Sequence, residues 1–238
     1  DYRAIDHSVG TMEDMETLIR EAKKRGISII LDLVPNHSSD QHPWFLEFKE
    51  ARAKGDTENP YYDYYSCVTE AEKVGGRTYQ KIAGVDCWFE CNFSSEMPEL
   101  NYDNPEVRQA MLDVAKYYLD LGVDGFRFDA VKYIYYGDTE QSVAFWEWYM
   151  EELRKIDPDI YVVGECWSGE SEILAYYGAM NCFNFAVSQA EGMMASTAKG
   201  NSMSKYTSYM ANYQKKVLEA NPEGMVMSFL SNHDMDRI

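Results

Sequence analysis

Residues 125–132 read Gly125-Phe-Arg-Phe-Asp-Ala-Val-Lys132. Side chains alternate along a strand, so Arg127 and Asp129 share one face while Phe126 and Phe128 share the other. A carboxylate beside an arginine at the C-terminal tip of a strand is where a parallel α/β barrel performs its chemistry. Two later apolar runs end in the same way. Residues 160–164 lead into Glu165, and residues 225–230 lead into Asn232-His233-Asp234. Three acids therefore arrive from three strand tips.

Working outward, helical and strand patterns alternate. Thr11-Met12-Glu13-Asp14 has the form of a capping box, followed by Met15, Leu18, Ile19 and Ala22 on one face and by Gly26 as a stop. Residues 27–34 form an apolar strand interrupted only by Ser28 and Asp32. Asn104-Pro105 opens a second helix, closed by Gly122, and the strand 123–129 follows. A third helix is expected over 140–156, then strands at 160–164 and 182–187, a helix near 203–219 and a last strand at 225–230. Five buried parallel strands, each followed by a connection containing helix, predict an α/β fold. No glycine-rich phosphate loop follows the early strand, which disfavours an open doubly wound sheet. The reading is a partial TIM (β/α)8 barrel, a piece of a longer catalytic domain.

Residues 35–103 break the rhythm. They are rich in Tyr, Gly and Asp and weak in helical period, and they are too long for an ordinary connection. They read as an irregular insertion, giving barrel segments at 1–34 and 104–238 around an inserted domain at 35–103. Its aromatic residues, Trp88 and Phe89 foremost, are candidates for stacking on a sugar face.

Forty acids against 22 bases give a formal charge of −18. Such a field disfavours nucleic acid and anionic membrane surfaces, and no apolar run reaches membrane-spanning length. Cys67, Cys87, Cys91, Cys166 and Cys182 form no paired CxxC pattern. Reduced structural thiols are expected, a weak lean toward a cytoplasmic rather than a secreted setting.

Retaining glycosidic cleavage needs two carboxyl groups about 5–5.5 Å apart, one nucleophile and one acid, with different proton affinities. Asp129 beside the cation Arg127 suits the nucleophile. Glu165, flanked by Val162-Val163-Gly164 and Cys166-Trp167, sits in a drier setting that suits the proton donor. Asp234 is a third acid able to grip sugar hydroxyls.

Four segments resemble conserved blocks of the α-amylase family of glycoside hydrolases, in family order. They are Asp32-Leu-Val-Pro-Asn-His37, Gly125-Phe-Arg-Phe-Asp-Ala-Val-Lys-Tyr133, Gly164-Glu-Cys-Trp167 and Phe229-Leu-Ser-Asn-His-Asp234. The resemblance implies Asp129 as nucleophile, Glu165 as acid/base and Asp234 as transition-state stabiliser. It implies His37, Arg127 and His233 as ligands of the sugar at the cleavage point, with Lys132 and Tyr133 on the leaving-group side. It makes residues 35–103 the domain inserted after the third barrel strand, so the visible strands are the third to the seventh.

Met97-Pro-Glu-Leu-Asn101 resembles a further block, nearer to neopullulanase and intermediary members than to oligo-1,6-glucosidases. Ala130 stands where α-1,6-specific members often carry Val, which favours α-1,4 cleavage of starch-like glucans or maltooligosaccharides. An α-glucosidase, neopullulanase or transglycosidase would share every motif, and a non-catalytic glycan- or partner-binding homologue is the remote alternative. The family needs no cofactor for its chemistry. Many members bind a structural calcium through the Asn of the first block, here Asn36; a turn residue after Pro35 is the competing reading.

Overall fold

The computed structural model describes residues 1–189 and 191–235. In chain order the elements are α1 (Met12–Lys23), β1 (Ile30–Leu33), α2 (Pro43–Lys54), β2 (Cys67–Val68), β3 (Tyr79–Lys81), β4 (Trp88–Glu90), α3 (Pro105–Leu121), β5 (Gly125–Phe128), α4 (Thr139–Ile156), β6 (Tyr161–Gly164), α5 (Glu170–Ala175), β7 (Asn181–Cys182), α6 (Met193–Ala198) and α7 (Met203–Ala220). They form two compact units: residues 1–29 with 34–123, and residues 30–33 with 124–238.

In the first unit the expected capping box closes α1. Asp14 N–H donates to Thr11 Oγ1 at 3.2 Å, and Thr11 N–H returns to Asp14 Oδ2 at 2.9 Å. Met15, Ile19 and Ala22 are its buried face. α3 starts at the Asn104 cap with Pro105 in its first turn and ends at Gly122, whose φ of 99° is the left-handed conformation that favours glycine.

The insertion is more regular than the sequence suggested. It holds the twelve-residue helix α2 and an antiparallel sheet in the order β2-β4-β3. The helix carries little periodic signal because only Phe45, Phe48 and Ala51 of it are buried, a narrow stripe. Its punctuation was nonetheless present: His42 caps it, Pro43 opens it and Gly55 ends it in the left-handed region. Phe45 packs edge-on against Phe89 at 4.9 Å and against Tyr65 at 5.0 Å, so Phe89 is core rather than a sugar platform. Trp88 lies under Lys73 at 3.8 Å and Lys81 at 5.3 Å.

Cys67 and Cys87 are disulfide-bonded, with Cα atoms 5.8 Å apart. This corrects the expectation of reduced thiols for that pair, whose 20-residue separation carried no motif. The lean toward a reducing compartment loses that footing. Cys91, Cys166 and Cys182 are free and buried.

The second unit is a parallel sheet in the order β1-β5-β6-β7. The expected last strand is reduced to one parallel bridge, Phe183 to Met227, and the expected strand 182–187 shortens to Asn181–Cys182. Gly125 allows β5 to approach β6, because a Cβ there would lie 1.7 Å from the Tyr161 carbonyl oxygen. The outward face of β5 is sealed by α4, capped by Asp138. Phe128 meets Trp146 at 4.9 Å and Tyr149 at 5.7 Å, and all three rings are fully buried. Each such ring contributes about 1.5–3 kcal/mol of burial, which fixes the height of the β5 tip.

Candidate active site

Register builds the site. β1 and β5 pair in parallel with Asp32 opposite Arg127, and β5 pairs with β6 with Arg127 opposite Val163. The ladder continues one step beyond the strands: Asp129 N–H donates to Leu33 O at 3.0 Å, and Glu165 N–H donates to Phe128 O at 2.8 Å. Asp129 and Glu165 are thereby presented side by side just past the C-terminal tips of their strands.

Arg127 joins them. Its Nη1 donates to Asp129 Oδ1 at 2.5 Å and to Asp32 at 2.7 and 3.0 Å, while Nη2 lies 3.0 Å from Glu165 Oε2. One largely buried guanidinium thus holds acids from three adjacent strands, a geometry that suits its planar fork. The Asp32 carboxylate is therefore part of the site, a role that the sequence motifs do not assign to it. The signal was there: it is the acid that interrupts an otherwise apolar strand, and it faces the same side as Arg127.

Ala130 has a φ of 52°, a left-handed conformation that a non-glycine residue rarely adopts. The bend turns two backbone donors toward Glu165: Ala130 N–H to Oε2 at 3.4 Å and Val131 N–H to the carbonyl at 3.1 Å. Trp146 Nε1–H secures the bend through Val131 O at 2.8 Å. Such strain at a cluster of acids is a mark of function.

Glu165 is 7 % exposed. Burial pushes its carboxyl from the ordinary 4.5 up to about 7; the Asp129 charge adds to the rise and Arg127 opposes it. Glu165, Arg127 and Asp32 face Phe183, Phe185 and Phe229 across a cavity of about 290 Å³. His233 reaches the same cavity. Asp234 does not line it; its Oδ2 pairs with His233 Nε2 at 3.0 Å on an exposed turn.

Lys132 and Tyr133 follow on the turn after β5, Lys132 Nζ lying 5.5 Å from the Tyr133 ring and Tyr133 stacking on Tyr136 at 4.6 Å. His37 belongs to the first unit. There its carbonyl accepts from Tyr2 Oη at 2.8 Å and its ring lies 5.2 Å from Phe93. Asn36 is buried, with its side-chain nitrogen 3.3 Å from His37 Nδ1 and a hydrogen bond to Glu99.

Acids gathered at the C-terminal tips of parallel strands, with an antiparallel insertion following the first of them, define the catalytic face of a TIM-barrel enzyme domain. The chain belongs to the α-amylase catalytic-domain family: the family model described as alpha amylase, catalytic domain, matches residues 1–238. It is 40 % identical over 240 residues to alpha-amylase 3 of Dictyoglomus thermophilum, covering 100 % of this chain and 46 % of the relative. A glucan 1,6-alpha-glucosidase of Streptococcus pneumoniae is 36 % identical over 187 residues, covering 74 % of this chain and 34 % of the relative. Among solved structures, Eubacterium rectale Amy13B superposes with a TM-score of 0.89 at 31 % identity, covering 99 % of this chain and 47 % of the other. The chain spans about half the length of these relatives or less.

Proposed function

We propose that the protein is a retaining glycoside hydrolase that cleaves α-1,4-glucosidic bonds in starch-like glucans or maltooligosaccharides. The observation that carries this reading is the shared Arg127 fork, which places an ion-paired Asp129 beside a proton-holding Glu165. Glu165 and Asp129 also interact directly through a side-chain hydrogen bond, which favours the closer retaining spacing of about 5–5.5 Å over the wider inverting one.

In the first step an Asp129 oxygen attacks the anomeric carbon while Glu165 delivers its proton to the departing glycosidic oxygen. Glu165, now ionised, then takes a proton from water as that water displaces Asp129 from the same carbon. Arg127 contacts the sugar at the cleavage point, and family resemblance assigns Asp234, which pairs with His233, to gripping sugar hydroxyls and His37 to sugar binding. Lys132 and Tyr133 serve the leaving-group side. Asp32 positions Arg127. Ala130 and the 40 % identity to an enzyme named alpha-amylase support the α-1,4 preference.

In the full-length protein, Asp129→Asn abolishes turnover of maltoheptaose while the far-ultraviolet spectrum and melting temperature stay near wild type. Normal turnover in that variant overturns the assignment. Polarimetry that shows an inverted first product refutes retention, and a product profile dominated by transfer or by α-1,6 cleavage corrects the substrate.

A further inference from the structure

Buried within the insertion is a polar cluster that the proposed chemistry does not use. Glu90 and Glu99 are 5 % and 4 % exposed, close enough to raise the energy of ionising both. Asn92 bridges them: its Nδ2 donates to Glu90 Oε1 at 2.7 Å and to Glu99 Oε1 at 2.9 Å, while its backbone N–H adds a bond to Glu99 Oε1 at 3.1 Å. Asn92 Oδ1 in turn accepts from Thr78 N–H at 2.9 Å, which ties the bridge to the β3 side of the sheet. Arg77 Nη1 lies 3.1 Å from the second oxygen of Glu90. The Asn36 side chain donates to Glu99, and Asn36 O accepts from Leu100 N–H at 3.0 Å.

The calcium that family resemblance suggests at Asn36 does not fit these residues. A calcium ion takes six to eight oxygen ligands at about 2.3–2.6 Å. Here Asn36 turns its amide nitrogen toward Glu99 and His37. Both Glu90 oxygens and Oε1 of Glu99 are engaged by nitrogen donors, and a guanidinium already stands at the carboxylate pair. Among the described residues no three His, Cys, Asp or Glu side chains are arranged to hold a metal.

We propose that the insertion carries its own cation: Arg77, with the Asn92 amide, holds Glu90 and Glu99 together in place of a divalent ion, so that residues 34–123 keep their fold without calcium. The brace runs from the Arg77 loop through β4 to the segment of Asn36 and His37. One buried cation is adequate for the two buried acids because nitrogen donors from Arg77 and Asn92 already engage both Glu90 oxygens and Oε1 of Glu99. Removing the cation strands the buried Glu90 carboxylate, whereas removing both partners leaves no unpaired charge at position 90.

The test uses the full-length protein with two readouts. Calcium content and calcium titration are compared between wild type, Glu90→Gln and Glu99→Gln. Equal stoichiometry supports the proposal, whatever calcium other parts of the protein bind, and loss of one equivalent in either variant overturns it. Arg77→Met should lower the melting temperature by roughly 4–8 °C, and the double variant Arg77→Met/Glu90→Gln should recover more than half of that loss. A melting temperature unchanged in Arg77→Met, or a double variant worse than the single one, overturns the proposal.

Discussion

In the proposed mechanism, raising the pH through neutrality removes the proton that Glu165 is to deliver, and the burial of Glu165 sets where that happens. Burial is the largest cause holding the proton, Asp129 acts in the same direction, and Arg127 opposes both, moving the carboxyl from 4.5 to about 7. At about 1.36 kcal/mol per pH unit, this is roughly 3 kcal/mol in favour of the neutral acid. The expected profile of kcat/KM on maltoheptaose is therefore an alkaline limb with its midpoint near pH 7, falling about tenfold per unit above it. Glu165→Gln should lose most activity on maltooligosaccharides, yet keep slow cleavage of a glucoside whose leaving group departs without protonation. For that substrate the alkaline limb should vanish.

The same ionisation enters stability. Because the folded value lies above the unfolded one, the contribution is present in full below about 4.5 and is lost as pH rises through about 7. Glu165→Gln should accordingly melt a few degrees higher than wild type at pH 8 and not at pH 4. A wild-type profile flat to about pH 9, or a limb that persists unmoved in Glu165→Gln, refutes the assignment of the proton donor.

Three further outcomes follow from local geometry. Asp32→Asn removes the charge and one of the two acceptors that fix Arg127 Nη1 on the β1 side, and steady-state kinetics should show kcat down about 100-fold with KM little changed, as expected for misplacement of groups that act together. Ala130→Val puts a β-branched residue at a φ of 52° and should cost about 1–2 kcal/mol by denaturant titration, whereas Ala130→Gly should be near neutral. Trp146→Phe leaves the Val131 carbonyl without its buried donor, with an expected loss of about 1–3 kcal/mol and a lower kcat from a loosened turn.

Strand tips were legible because period-two alternation and terminal acids are local signals. The sequence places Arg127 and Asp129 on one face and Glu165 at a neighbouring strand tip, and the parallel register brings both acids to one guanidinium. The capping box at Thr11 and the Asn104-Pro105 start were equally local. What was hidden depends on distance in the chain. The Cys67–Cys87 pairing and the Asn92 bridge between Glu90 and Glu99 join segments that no short-range pattern links. The helix α2 is obscure for a different reason: its buried stripe of Phe45, Phe48 and Ala51 is too narrow to dominate a window, and only its Pro and Gly boundaries mark it. The strand expected at 225–230 reduces to a bridge at Met227, since apolar character fixes burial and not pairing.

The Arg127 fork has a further consequence in charge. Asp32, Asp129 and Glu165 share one guanidinium, so even with Glu165 neutral the Arg127 cluster keeps a formal surplus of one negative charge. A neutral sugar is indifferent to that imbalance, whereas the ring gains positive character as the glycosidic bond stretches. Protonated nitrogen-ring sugar mimics should therefore outcompete neutral ones of the same shape, and neutralising Asp32 should erase much of that advantage.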